Sequence, residues 1–171
     1  KKYNVAVDVL SVGVELVVND NPVKAEFYGQ LGDSYFGLKD YELAKKKYQK
    51  AMSTDPQSAL ITNNFAYRLA KEKIDLKLAK QLALKVTTMA PNQAQFIDTY
   101  GFTLLQNEEF NKAKAQFLKA YDLDQNDNLI LEHLGDTELQ LGSPDLAKEW
   151  WEKALEIDKN NEQLKLKIAN N

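Results

Sequence analysis

The sequence predicts an all-α solenoid of about ten helices, built from helix-turn-helix repeats stacked in one array. Three observations carry that expectation. A small residue set among larger apolar ones returns at Gly32, Ala66, Gly101 and Gly135, at intervals of 34, 35 and 34. A second small residue follows each of them, at Ala44, Ala79, Ala113 and Ala147. Turn-forming residues fall at the joints this period defines, among them Pro56, Pro91, Gly142 and Pro144. A period of this length marks a repeat architecture, in which each unit buries its apolar face on its neighbours.

The units run in order. Residues 1–23 read as the second helix of a repeat plus a linker. Tyr3 to Val18 has helical spacing, with Ala6, Leu10 and Gly13 matching Ala44, Tyr48 and Ala51, and Asn19 to Pro22 forms a long joint. The chain begins without Met and already inside this helix, which predicts a piece of a longer protein. Residues 24–57 make the first full repeat, where Gly37 is expected to supply the left-handed helix stop and Asp40 to cap the next helix. Residues 58–92 make the second, with one extra residue in its Lys71–Asp75 turn. Residues 93–126 make the third and residues 127–160 the fourth. In the fourth, Gly142 stops one helix, while Ser143 and Pro144 start the next. Residues 161–171 form a capping helix with Leu164 and Ile168 on one side. Such a cap shields the apolar end face of a solenoid from water.

The small residues have a packing purpose. Helix axes approach closely only where side chains are small, and bulky neighbours then fill the space beside them. In the first unit these are Tyr28, Leu31-Gly32, Tyr35, Ala44, Tyr48, Ala51 and Pro56. They resemble the tetratricopeptide repeat family, whose unit of about 34 residues carries such a signature. The third unit keeps Gly101, Ala113, Phe117 and Ala120, with Gln125 for the proline. The fourth keeps Leu134-Gly135, Ala147, Trp151 and Ala154, with Glu138 for the tyrosine and Lys159 for the proline. The second diverges most, with Ala66, Leu69 and Ala83 at signature positions. Asp98 to Gly101 and Glu132 to Asp136 are similar to segments of bacterial cell-envelope members.

The resemblance implies a right-handed superhelix whose first helices line a concave groove. On that mapping the groove presents Glu26, Asp33 and Phe36 from the first repeat and Asn63 and Tyr67 from the second. The third contributes Asp98, Phe102 and Leu105, and the fourth Glu132 and Asp136. Some of these sites are equally suited to solvating the surface or packing the next helix. Family members that grip a peptide's terminal carboxylate use Lys, Arg and Asn. Here the matching sites are Asp33, Asn63, Asn64, Asp98 and Glu132, so the cations are missing. Trp150, beside signature residue Trp151, points elsewhere and suits either the cover of the joint to the terminal helix or an outer-face anchor for a partner.

Chemistry is sparse. With no Cys and a single His, disulfides, thiolate sites and His-pair metal sites are excluded. No phosphate loop or dinucleotide fingerprint occurs, so no catalytic residue, metal or cofactor is expected. His133, on a first helix, suits a local hydrogen bond. Asp122, Asp124, Asn126 and Asp127 lack the EF-hand glycine and closing glutamate and suit turns. Lys45, Lys46 and Lys47 fan around a helix instead of forming a stripe. The net charge of −3 and the lone Arg68 argue against nucleic acid.

The expected function is a non-catalytic scaffold that binds a protein or peptide, favouring basic and apolar segments. The alternative is a structural or regulatory array attached to a catalytic or membrane-anchored region. No membrane insertion by these residues is expected, and the address leans to the bacterial periplasm or cell envelope.

Overall fold

The computed structural model describes residues 2–171, which form ten α-helices and no strand. They are α1 (Lys2–Leu16), α2 (Asn21–Gly37), α3 (Tyr41–Thr54), α4 (Ala59–Lys71) and α5 (Leu76–Met89). Then come α6 (Ala94–Gln106), α7 (Phe110–Leu123), α8 (Asn128–Gln140), α9 (Pro144–Ile157) and α10 (Glu162–Asn170). α2 packs on α3, α4 on α5, α6 on α7 and α8 on α9. The first helices of these pairs also touch in series, from α2 through α4 and α6 to α8, and α10 closes the end against α9. The chain is thus the expected right-handed α-solenoid.

The small residues sit where rings press on the backbone. A Cβ on Gly32 would lie 2.4 Å from the Tyr48 ring, and one on Gly101 would lie 2.7 Å from Phe117. In the second repeat Ala66 and Ala83 stand at the glycine and aromatic positions, and both are fully buried in one apolar cluster. Phe65 stacks on Tyr48 of the first repeat with 4.7 Å between ring centres.

Three boundaries differ from the sequence reading. α1 stops at Leu16, and Asn21 and Pro22 already belong to α2, because the Asp20 side chain accepts from the Val23 N–H at 3.1 Å and starts that helix early. Gly37 does not stop a helix by left-handed geometry. It is the last residue of α2, and it is small because Tyr3 of α1 lies where its Cβ would be, 2.4 Å away. The left-handed position in that turn is Lys39, at φ 61°.

Lys39, Lys73, Glu108 and Gly142 occupy this turn position in the four repeats, all with positive φ. Only the fourth repeat uses the residue that adopts this conformation without a Cβ penalty. Lys39→Gly and Glu108→Gly are therefore each expected to stabilise the fold by about 0.5–1 kcal/mol. Thermal melting followed by circular dichroism checks this, and a lowered midpoint in both variants would contradict it.

α1 is covered on one side only. Val5, Val9, Val12 and Leu16 form an exposed row, whereas the positions matching Val12 in the four repeats carry Lys50, Lys85, Lys119 and Lys153. Trp150 is half-buried. Its ring meets Tyr121 of α7 edge-on at 5.3 Å and carries Lys153 over one face at 4.3 Å. It therefore covers the joint between α7 and α9, towards the preceding repeat, whereas the sequence reading sets it at the joint to the terminal helix.

Candidate functional site

The first helices α2, α4, α6 and α8 share a surface with three cavities. One of about 320 Å³ lies among Asp33, Asn63, Tyr67, Arg68 and Asp98, and reaches Leu129. A second of about 220 Å³ adjoins it through Asp33 and Asn64 and extends to Glu26. A third of about 300 Å³ lies further along, between Leu105, Asp136 and Leu139. Seven of the ten sequence-named groove residues line these cavities, while Phe102 and Glu132 line none of them but stand beside Tyr67 and beside the Lys167 partner of Asp136.

Phe36 is the exception. It is only 4% exposed and packs against Tyr41, Tyr48 and Phe65. A helix of this length has a side turned to its partner helix, and Phe36 sits there, so it is core and not groove. Phe102 is half-buried between Tyr67, at 5.4 Å, and His133, at 4.9 Å.

The groove is not the uncompensated acidic surface that its list of residues suggests. Arg68 Nε donates to Asp33 Oδ1 at 2.6 Å, and Tyr48 donates its hydroxyl to the same oxygen at 2.7 Å. Burial, with the Asp33 carboxylate beside it, pushes the Tyr48 phenol far above its ordinary value. Lys167, on α10, donates to Glu132 at 2.7 Å and to Asp136 at 2.6 Å. Burial works to lower the Lys167 pKa, but these two carboxylates outweigh it and hold the ammonium charged. Trp151 Nε1–H also donates to Asp136, at 3.0 Å. Asp33 and Asp136 occupy equivalent positions, each receiving a signature aromatic of its own repeat and a cation from a later helix.

His133 makes no local side-chain hydrogen bond. Its Nδ1 meets Asp98 Oδ1 at 2.8 Å, from α8 across to α6, with both side chains buried. A helix residue facing the neighbouring first helix has its partner one repeat away, which local reading misses. Asn63, at the same repeat position as Asp98 and Glu132, is 2% exposed, and its Oδ1 has no hydrogen-bond partner among the described residues. The acidic turn near Asp122 behaves as expected. Asp124 accepts from the Asn126 N–H at 3.0 Å, and Asp127 caps α8.

Models of the tetratricopeptide repeat match residues 25–58, 94–127 and 130–161. The chain belongs to the tetratricopeptide repeat family. The stretch between the first two matches holds α4 and α5, which pack as the other pairs do.

Among relatives, this tetratricopeptide repeat chain is similar to the type IV pilus assembly protein PilF of Pseudomonas aeruginosa, at 29% identity. That match covers 94% of this chain and 69% of PilF. An uncharacterised protein, ycf37, of Pyropia yezoensis is 34% identical over 44% of this chain and 42% of its own length. A solved PilF structure superposes with a TM-score of 0.73 at 27% identity, covering 99% of this chain and 69% of that one. TTC0263 of Thermus thermophilus shares the fold, with a TM-score of 0.82 at 19% identity over 98% of this chain and 89% of that one. YrrB, described as having an unusual peptide-binding site, shares it with a TM-score of 0.69 at 20% identity over 99% and 84%. Proteins of this family characteristically bind protein or peptide partners. No helix among the described residues is long and apolar enough to cross a membrane.

Proposed function

We propose that the chain is a non-catalytic scaffold that holds an extended or helical segment of a partner protein in the groove along α2, α4, α6 and α8. The carrying observation is the pair of adjoining cavities that share Asp33 and Asn64, with half-buried Tyr67 beside them. Concave surfaces with an aromatic wall and a few fixed polar groups suit peptide recognition. The preference for basic and apolar segments rests on fewer charges than the sequence list counts. Arg68 compensates Asp33, and Lys167 compensates Glu132 and Asp136. Exposed Glu26 and the Asp98 oxygen not bonded to His133 remain to attract a cation, while Tyr67, Phe102 and Leu105 receive apolar groups. The similarity to PilF supports a partner within a bacterial envelope assembly, since a pilus is built at the cell envelope.

The test is a charge-varied peptide library screened against the chain. Basic-apolar peptides should bind best, and binding should weaken with salt as exposed charges are screened. Tyr67→Ala should weaken the best binder by about tenfold or more, as loss of a half-buried aromatic contact does. Selection of acidic peptides, or a best binder indifferent to Tyr67→Ala, would remove this reading.

A further inference from the structure

The charge of the chain is sorted by helix. The second helices α3, α5 and α7 carry four, three and three lysines against two carboxylates, Glu42 and Asp122. The chain as a whole is acidic, with a net charge of −3. α9 reverses the balance, with Asp145, Glu149, Glu152 and Glu156 against two lysines. Some of the lysines are neutralised locally. Lys45 pairs with Glu42, Lys80 and Lys112 with Glu109, and Lys114 with Glu138. Lys46, Lys50, Lys77, Lys85 and Lys119 are exposed and form no ion pair among the described residues.

No single helix carries a basic stripe, but the solenoid makes one across helices. Lys50, Lys85 and Lys119 occupy one repeat position and so recur on successive turns of the array. The first helices touch from repeat to repeat while the second helices stand further apart, so the array bends with the second helices on its convex side. The lysines therefore crown the side opposite the groove. Leu84 and Leu118, 49% and 37% exposed, share another repeat position on the same helices, where α3 has Gln49 and α9 has Glu152. A flat surface brought to a convex one meets its middle turns first, and the carboxylates of α9, at the end, curve away from it.

We infer that this convex face docks on the surface of an anionic lipid bilayer, with its lysine ammonium groups among the phosphates and Leu84 and Leu118 towards the acyl boundary. Lysine is a point charge on a long apolar stem, suited to lipid headgroups that rearrange laterally around it. A folded acidic protein presents fixed carboxylates, which the planar fork of arginine matches better. The chain's only arginine, Arg68, is bonded to Asp33 in the groove. Exposed leucines beside the lysines add apolar contact that a lipid interface favours. Such docking needs no spanning helix, and it leaves the groove facing away from the bilayer and open to its segment.

The test is flotation of the whole chain with vesicles of phosphatidylcholine alone, or of phosphatidylcholine and phosphatidylglycerol at about 2:1. Binding is expected to the phosphatidylglycerol vesicles only, and it should fade as salt is raised. The triple variant Lys50→Glu, Lys85→Glu and Lys119→Glu should weaken it about a hundredfold, roughly fivefold for each lysine. A control with Lys148→Glu, Lys159→Glu and Lys165→Glu has the same net charge, altered off this face, and should stay within about threefold of the parent. If the first triple loses its helical circular dichroism, Lys50→Gln, Lys85→Gln and Lys119→Gln take its place, with the same ordering against the control. The chain has no cysteine, so a polarity-sensitive dye attached through Gln81→Cys reads the convex face and one through Gln95→Cys reads the groove. The anionic vesicles should blue-shift the first dye alone. Equal weakening by the two triples, or a blue shift of the groove dye alone, overturns the assignment to this face. Equal binding to both kinds of vesicle, or flotation with neither, overturns the anionic lipid surface. Binding to soluble poly-L-glutamate but not to vesicles overturns it too, and assigns the face to an acidic protein. The groove reading is tested by peptides and stands or falls apart from these outcomes.

Discussion

Gly135→Leu is expected to cost more than about 3 kcal/mol and to release the last repeat from the cooperative unfolding transition. A Cβ at this position would lie 2.4 Å from the Trp151 indole and 2.9 Å from the carbonyl oxygen of Ala147. A flexible side chain can swing aside, but the Trp151 ring is 1% exposed and the carbonyl belongs to the α9 backbone. The helices must therefore separate. Separation also pulls the Trp151 N–H from Asp136, adding a lost hydrogen bond to the packing cost. Gly29→Ala is the control. The nearest atom to its new methyl would be Ile61 Cγ1, at 3.8 Å, an ordinary contact. Alanine is better than glycine inside a helix by about 0.5–1 kcal/mol, so this variant should gain stability. Urea unfolding of both variants decides the matter. Similar shifts for the two would show that close approach does not govern the glycine at position 135.

His133→Leu is expected to lose about 3 kcal/mol near pH 8, because it leaves the Asp98 carboxylate buried without its partner. Replacing both residues by leucine should restore much of that loss, since neither charge then has to be desolvated. Stability should also depend on pH through this pair. Burial is the largest influence on His133 and lowers its pKa. The charge and hydrogen bond of Asp98, with Asp136 and Glu132, together outweigh burial and raise it. A histidine whose folded pKa is raised stabilises the fold fully below its unfolded value of about 6.5, and loses that contribution as pH rises through the folded value. The parent should therefore be more stable at pH 6 than at pH 8, and the doubly substituted chain should lose this dependence. As the chain's only histidine, His133 gives a single imidazole titration by NMR. A midpoint at or below the free-histidine value would refute the assignment.

The solenoid was legible because its period is covalent. Gly32, Gly101 and Gly135 mark the close approaches, and Pro56, Pro91 and Pro144 mark the joints, all within single repeats. The groove chemistry was less legible because its bonds join one repeat to the next. Asp33–Arg68, Asp98–His133 and Glu132–Lys167 are each 35 residues apart, one period and one position onward. Scanning for opposite charges at that separation would have found all three and corrected the picture of an unpaired acidic groove. Phe36 was misplaced for a different reason. Period alone fixes which helix a residue is on, while the side of the helix it occupies depends on the rings that pack behind it.

One equivalent position carries Asp33, Tyr67, Phe102 and Asp136 in the four repeats. At the two ends it is an ionic clasp, with donors to the aspartate at 2.6 Å from Arg68 and from Lys167. In the middle it is ring against ring, Tyr67 on Phe102. The ends of the row are thus joined by charge, α2 to α4 and α8 to α10, while α4 and α6 are joined by packed rings and by the most extensive contact between consecutive first helices, so that different kinds of force hold successive turns of one coil.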